Sequence, residues 1–247
     1  MGRNLALVLL LAASLVPSSG PGAAEAVDLE LVLAADGSGS IDDNELRFQR
    51  EGYAAAITHP QVLGAIRGGF NQAIVIAYIE WGGPHSQHTI VDWTRIDGPE
   101  SAAAFASQLT STPRMAEGFN SISEAIAYST ELIAGSAYRG TRKIIDVSGD
   151  GPQIGGRSLI EVKALAFAHG ITINALVVKS PGGGFPGPGG EALEEHYRND
   201  VIGGLGAFVT IAESRKEMAA AILKKLILEI ASLPPPKTWP NTQHKGR

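Results

Sequence analysis

The chain has 247 residues, of which 44% are hydrophobic and 18% charged, so it can bury a sizeable core and does not belong to the disordered class. Its formal net charge is −5, and no basic stripe predicts a nucleic-acid partner. It contains no cysteine, which excludes disulfides, thiol catalysis and thiolate metal sites.

The first 26 residues have the organisation of a secretory signal peptide. Arg3 provides a positive start, residues 5–16 form a short apolar run, and residues 24–26 read Ala-Glu-Ala, an A-x-A cleavage pattern. We therefore predict cleavage after Ala26 and a periplasmic or secreted location. The apolar run is shorter than the ~20 residues that cross a bilayer, and no later stretch is long enough, so no membrane span is expected.

The rest of the chain alternates between short apolar runs and segments with helical spacing. Strands are predicted at residues 29–35, 73–81, 88–94, 143–148, 171–178 and 208–212. Helices are predicted at residues 43–58, 101–109, 121–134, 158–169, 191–199 and 216–230. This alternation predicts one α/β domain over residues 27–232, a three-layer, doubly wound, mostly parallel six-stranded sheet. The hairpin at residues 73–94 is expected to add one antiparallel edge strand.

Capping residues predict where two of the helices begin or end, and two segments are predicted to have no regular structure. Asp42 or Asp43 is expected to cap the first helix, and Gly170 suits the end of the fourth. Residues 180–190 are rich in glycine and proline and predict a mobile loop, with recognition through Phe185 as the alternative. Residues 233–247 are expected to form a disordered tail.

Acid and hydroxyl side chains follow two of the predicted strands. Asp36, Ser38 and Ser40 occupy alternate positions directly after the first strand, and the two intervening glycines are expected to let the chain curl so that the oxygens converge. Asp150 follows the strand at 143–148. In a doubly wound sheet, ligands bind at the carboxyl ends of strands where the strand order reverses, so Asp36 and Asp150 would meet if these strands are neighbours there.

Such a set of oxygens has a defined metal preference. Two carboxylates with hydroxyls form a hard site, suited to Mg²⁺, Mn²⁺ or Ca²⁺. The alternative is that Asp36 or Ser40 only caps the following helix.

The motif Asp36-Gly-Ser38-Gly-Ser40, with Asp150 after a later strand, resembles the metal-ion-dependent adhesion site (MIDAS) of von Willebrand factor A (vWA) domains. The chain is most similar to bacterial exported proteins of unknown function on that fold, the DUF1194-type family, over residues 27–231. Further stretches that support this resemblance are residues 49–56, 144–151 and 201–208. The resemblance implies a Rossmann-like vWA fold and a non-catalytic domain. It also implies a bound divalent cation, Mg²⁺ first and Mn²⁺ or Ca²⁺ as alternatives, and a protein partner that offers an Asp or Glu carboxylate to it.

One position departs from the resembled family. That family uses a threonine from a middle loop as a further ligand, whereas alignment on Gly118 and Ile122 puts Asn120 there. Ser121 takes the position if the register shifts by one residue. An amide oxygen can ligate a hard cation but is neutral, so we expect Asn120, ahead of Ser121, in a site weaker than usual.

Three other classes of function are alternatives to a metal-dependent binding domain. A Mg²⁺-dependent phosphohydrolase with Asp36 as nucleophile would need a second acid where Ser38 stands, and a lysine to neutralise phosphate. An interaction or scaffold protein with a degenerate metal site could use Arg114, Trp93 and Trp81 as a contact surface. A solute-binding protein would need two lobes, which one six-stranded domain does not provide.

Overall fold

The structure is a computed structural model and describes residues 24–179 and 185–231. The strands are β1 (Glu25–Asp36), β2 (Ile74–Trp81), β3 (Gln87–Ile96), β4 (Tyr138–Gly149), β5 (Ile171–Val178) and β6 (Val209–Ala212). The helices are α1 (Asp43–Ile57), α2 (Pro60–Arg67), α3 (Pro99–Ser111), α4 (Ile122–Ala134), α5 (Leu159–Ala168), α6 (Leu193–His196) and α7 (Arg215–Ala231). A π-helical turn, Tyr197–Val201, continues α6. The predicted tail, most of the predicted leader and the first half of the 180–190 loop lie outside the described residues.

The six strands form one sheet in the order β3-β2-β1-β4-β5-β6. All neighbours are parallel except β3, which pairs antiparallel with β2 at one edge. The predicted mostly parallel sheet with one antiparallel edge strand is therefore confirmed. Because β2 and β4 lie on opposite sides of β1, the strand order reverses at β1, and a crevice opens there at the carboxyl ends of the strands.

Helices cover both faces of the sheet. Leu29, Leu31 and Leu33 of β1 point to one face, where α1, α2, α3 and α7 pack on them. Val32 and Ala34 point to the other face, which is covered by α4, α5 and the α6 segment, that is, α6 together with its π-helical turn. Because both faces are buried, β1 and β2 are nearly continuous apolar runs, as expected of central parallel strands.

Two helical regions differ from the sequence prediction. Pro60 was expected to end the first helix, and α1 does end at Ile57, but Pro60 also starts α2, with His59 as its N-cap. A proline fits the first turn of a helix, because the amide it lacks would have no partner there. The helix expected at 191–199 is instead the short α6 followed by the π-helical turn.

The strand β1 also starts earlier than predicted. Glu25 and Ala26 already pair with Tyr138 and Arg139 of β4, and Glu25 forms an ion pair with Arg95 at 2.7 Å. Cleavage after Ala26, which stays a prediction, would remove these two residues from β1. No helix within residues 24–179 and 185–231 is long and apolar enough to cross a bilayer.

A buried polar cluster lies under α7. Lys225 contacts the carboxylate of Asp146 at 2.6 Å and that of Glu229, which also accepts a 2.9 Å hydrogen bond from Asn174. Burial, and then the nearby Glu229, raise the pKa of Asp146 to about 7. One lysine thus faces two carboxylates in the core. The sequence pattern did not indicate this cluster.

Candidate metal centre

The loop after β1 brings three of the predicted site residues together. The Asp36 side chain accepts a 2.8 Å hydrogen bond from the backbone amide of Ser38, which folds the chain into a tight turn. The hydroxyls of Ser38 and Ser40 lie 3.0 Å apart. Asp36 and Ser38 are fully buried, whereas Ser40 is exposed, so the cluster opens to solvent on one side only.

The fourth residue arrives from the neighbouring strand. Because β4 is parallel to β1, with Ala35 opposite Ser148, both strands end at the same edge of the sheet. The Ser40 hydroxyl donates a 3.0 Å hydrogen bond to Oδ1 of Asp150, and the Asp150 carboxylate is close enough to Asp36 to act on its titration. The structure therefore brings Asp36, Ser38, Ser40 and Asp150 into one cluster.

Asp36 is a buried carboxyl group with one buried oxygen, Oδ2, that lacks a hydrogen-bond partner among the described residues. Burial, and then repulsion by the Asp150 carboxylate, raise the pKa of Asp36 to about 7. A buried carboxylate oxygen without a partner is costly, and a cation beside it would remove that cost.

Asn120 lies against the loop that carries Asp150, whereas the Ser121 hydroxyl has another partner. A Cβ atom on Gly151 would fall 2.0 Å from Nδ2 of Asn120, so the amide lies directly against the loop of Asp150. The Ser121 hydroxyl donates instead to the carbonyl of Gly155, at 3.3 Å. Of the two candidates for the fifth position, Asn120 is the one that these contacts place against the Asp150 loop, and its role as a ligand stays a prediction.

The two glycines between the site residues act differently from the prediction. Neither Gly37 nor Gly39 has a positive φ, so no left-handed curl is required. Gly37 is needed for a close approach, because a Cβ there would lie 2.9 Å from Cβ of Ala116. The amide of Gly39 donates a 2.9 Å hydrogen bond to the carbonyl of Gly118. The loop that contains Gly118 and Asn120 is therefore bonded directly to the Asp36 loop.

The first helix is capped without using the site residues. Asp42 is the N-cap of α1, and Glu45 completes a capping box with it. Neither Asp36 nor Ser40 serves as a cap, so the alternative role for these residues is wrong.

Arg114 holds the loop in place. Its guanidinium donates 2.8 Å hydrogen bonds to the carbonyls of Gly37, Ser38 and Ile41. The preceding segment is in turn held by Arg50, which donates to the carbonyls of Thr112 and Pro113. Sequence reasoning missed this role, since binding to backbone carbonyls leaves no motif.

The structure does not show the contact surface expected of an interaction protein with a degenerate metal site, which would consist of Arg114, Trp93 and Trp81. Trp81 is fully buried and donates through Nε1 to the carbonyl of Ala34 at 3.0 Å. Trp93 is partly buried and donates to Leu132. These residues serve packing and loop positioning instead.

The Asp150 loop is supported from behind by the α6 segment. Tyr197 is buried and its hydroxyl donates at 3.0 Å to the carbonyl of Gly151. His196 accepts at Nε2 a 3.2 Å hydrogen bond from the amide of Gln153. Sequence reasoning missed both contacts.

A second cluster of potential ligands is less suited to a metal. Glu191, His196 and Asp200 could each offer one atom, with Nδ1 of His196 2.8 Å from Asp200 and 3.9 Å from Glu191. Because Nε2 of His196 accepts from the Gln153 amide, the neutral ring carries its proton on Nδ1 and donates it to Asp200. A metal at Nδ1 would have to displace that proton and break this hydrogen bond.

The donor set around Asp36 fits a hard divalent cation. It comprises two carboxylates, two hydroxyls and an adjacent amide, all of which can present oxygen atoms. A cation at this position would pair with the partnerless Oδ2 of Asp36 and would lower the raised pKa of this residue.

Comparisons with known proteins agree with this fold. A family model described as a protein of unknown function (DUF1194) matches residues 26–234. No curated protein matches the chain.

Several solved structures share the architecture. The pilus adhesin SpaC of Lactobacillus rhamnosus GG superposes with a TM-score of 0.59 at 13% identity, covering 83% of this chain and 31% of its own. The mussel byssus protein PTMP1 with a zinc-occupied MIDAS motif gives 0.59 at 13%, covering 83% and 46%. A von Willebrand factor type A protein from Catenulispora acidiphila gives 0.57 at 13%, covering 83% and 43%. The chain thus spans less than half the length of each, and the likeness shows a vWA-like fold.

Proposed function

This chain belongs to the DUF1194 family of proteins of unknown function, and we propose that it is an exported, non-catalytic binding protein with a MIDAS-type metal centre. Asp36, Ser38, Ser40, Asn120 and Asp150 hold a divalent cation, Mg²⁺ in preference to Mn²⁺ or Ca²⁺. The cation is offered to an Asp or Glu carboxylate of a protein partner.

The observation that carries the proposal is the state of Asp36. Its carboxylate is fully buried, lies beside a second carboxylate, and has one oxygen without a partner among the described residues. Two unneutralised carboxylates buried side by side cost several kcal/mol in a folded protein, and a bound divalent cation would remove that cost.

The remaining donors support binding of an external carboxylate. Only two of the five proposed ligands are charged, so they balance the cation without an excess of negative charge. Ser40 lies at the solvent side, where a partner can approach. The cation would supply the electrostatic attraction, while Arg114 keeps the loop in shape through its contacts with Gly37 and Ser38.

The surroundings of Asp36 favour binding over phosphoryl transfer. Ser38 occupies the position where a phosphohydrolase of that type would need a second acid. Among the described residues, the cavity beside Asp36 is lined by apolar side chains, acids and Gln49, without a lysine to neutralise a phosphate. A pilus adhesin and a mussel byssus matrix protein share the fold, which suits a binding role.

Calorimetric titration with Mg²⁺, Mn²⁺ and Ca²⁺ tests the metal centre. The wild-type protein should release or absorb heat and gain about 2.7 kcal/mol of unfolding free energy at a cation concentration a hundredfold above Kd. Asp36→Asn should abolish both effects without loss of fold, because the amide removes the buried charge. Asp200→Asn, in the second cluster, is the matched control and should bind as the wild type does. Binding lost in Asp200→Asn and kept in Asp36→Asn would place the ion elsewhere.

The export part of the proposal has its own test. Expression of the full chain in a Gram-negative host, followed by fractionation and mass spectrometry of the intact protein, should give a periplasmic or secreted product that starts at Val27. A full-length cytoplasmic product would contradict it.

A further inference from the structure

Large apolar side chains are exposed around the candidate metal centre. Phe119 is 76% exposed and Ile154 48% exposed. Phe119 precedes Asn120, and Ile154 follows in the loop of Asp150. Single exposed apolar residues are ordinary, so the position of these two beside the site is the informative feature.

Backbone hydrogen bonds connect the loop of Phe119 to the Asp36 loop and to the loop that contains Ile154. The carbonyl of Gly118 accepts from the amide of Gly39, and the carbonyl of Asn120 accepts from the amide of Ile154 at 2.6 Å. Phe119 therefore lies between one contact to the Asp36 loop and one to the Asp150 loop. We call Phe119 and Ile154 the apolar rim.

Phe119 of the apolar rim belongs to a loop that is held by hydrogen bonds to the turn between β2 and β3. The carbonyl of Glu117 accepts a hydrogen bond from the amide of Gly83 at 2.8 Å, and the amide of Glu117 donates one to the hydroxyl oxygen of Ser86 at 2.9 Å. A loop anchored on both sides pays little ordering entropy when a partner docks on it. Aromatic residues, phenylalanine among them, are enriched at protein–protein interfaces relative to the rest of the surface.

The charges near the site restrict the partner further. Asp43 is 92% exposed and forms an ion pair with Arg114 at 3.1 Å, and the chain as a whole has a net charge of −5. Net repulsion by the acidic chain disfavours a polyacidic segment or an anionic lipid surface as the partner. An isolated carboxylate with apolar neighbours would reach the cation without that repulsion.

We propose that the partner is a peptide segment with a single Asp or Glu flanked by a bulky apolar residue, whose carboxylate reaches the cation while its apolar side chain packs on Phe119 and Ile154. This inference rests on the proposed function and adds the class of partner to it.

Selection from a displayed peptide library tests the inference. The library has a fixed central Asp between randomised positions and is selected in Mg²⁺ and, in parallel, in excess chelator. In Mg²⁺ the wild type should enrich peptides with a bulky apolar residue near the Asp. An enriched peptide should bind Phe119→Ser and Ile154→Ser about tenfold more weakly or worse.

Phe70→Ser is the matched control. Phe70 is 95% exposed but lies in the connection between α2 and β2. This connection is at the amino ends of the strands, opposite the candidate metal centre. The Phe70→Ser variant should bind the enriched peptides within about twofold of the wild type, and thermal melts of all three variants confirm that they are folded.

The outcomes separate the inference from the proposed function. Enrichment that needs Mg²⁺ but shows no apolar preference, or that survives both rim substitutions, overturns the inference and leaves the metal-centred binding intact. An absence of any Mg²⁺-dependent enrichment overturns both.

Discussion

The hydroxyl of Ser40 donates a 3.0 Å hydrogen bond to the carboxylate of Asp150, 110 residues further along the chain. This contact closes the candidate metal centre across the boundary between β1 and β4. Because the two strands are parallel neighbours at the reversal of strand order, the loops that follow them are brought together by the sheet itself.

Asn120 should contribute to cation binding, and Ser121 should not. Asn120→Ala is expected to weaken Mn²⁺ binding about tenfold, which is 1.4 kcal/mol, because it removes an oxygen donor beside the Asp150 loop. Ser121→Ala is the control and should leave Kd unchanged, since its hydroxyl faces Gly155. Calorimetry on both variants gives the comparison, and the opposite ranking would show that Ser121 is the ligand.

Arg114 should be needed for the shape of the Asp36 loop. Arg114→Lys keeps the charge but cannot reach three carbonyls at once, so we expect a loss of about 1–3 kcal/mol in unfolding free energy and weaker cation binding. Arg47→Lys, on the exposed side of α1, should change stability by less than about 0.5 kcal/mol. Denaturant unfolding with and without Mg²⁺ measures both. Equal behaviour of the two variants would contradict the positioning role.

Gly151 should be needed for the placement of Asn120. In Gly151→Ala the new Cβ would meet Nδ2 of Asn120 at 2.0 Å, so the amide must move and cation affinity should fall. Gly64→Ala is the control, because no atom lies within 4 Å of its added Cβ within the described structure and it sits in α2. That substitution should raise stability by about 0.5–1 kcal/mol and leave cation binding unchanged. An unaltered Kd in Gly151→Ala would show that Asn120 is not a ligand.

Asp146 should make stability depend on pH. Its pKa is raised from 3.8 to about 7, so the folded state holds the proton more tightly than the unfolded state does. Stability is therefore lost as pH rises from about 4 to about 7, and the full cost is present above pH 7. Asp146→Asn removes this titration and should reduce the loss between pH 5 and pH 8 by about 2 kcal/mol.

Chemical denaturation at several pH values, with chelator present throughout, measures the slope for Asp146→Asn. Asp92→Asn, on an exposed part of β3, is the control and should keep the wild-type slope. If Asp146→Asn also keeps that slope, Asp146 is not the group that titrates.

The sequence was sufficient for the mostly parallel sheet, and it predicted that Asp36 and Asp150 meet if their strands are neighbours, which the strand order confirms. Both conclusions depend on local patterns: apolar runs mark the strands, and the carboxyl ends of parallel strands share one edge. The motif around Ser38 and Ser40 also identified the family. That these residues bind a cation stays a prediction.

The parts that sequence reasoning missed depend on contacts between distant residues. Arg114 recognises backbone carbonyls, which carry no side-chain signature. Asp146 sits in an apolar run, and its partner Lys225 belongs to the last helix. The start of α2 at Pro60 was missed because a proline both ends one helix and suits the first turn of the next.

The pairing of β1 with β4 also decides when and where an ion could be acquired. Asp36 is made early in synthesis, but Asp150 reaches it only after the crossing connection between the two strands has folded, so a chain still in an extended state has no assembled centre. The cation content of the compartment in which folding is completed, and not of the one in which the chain is synthesised, would then determine which metal the protein carries.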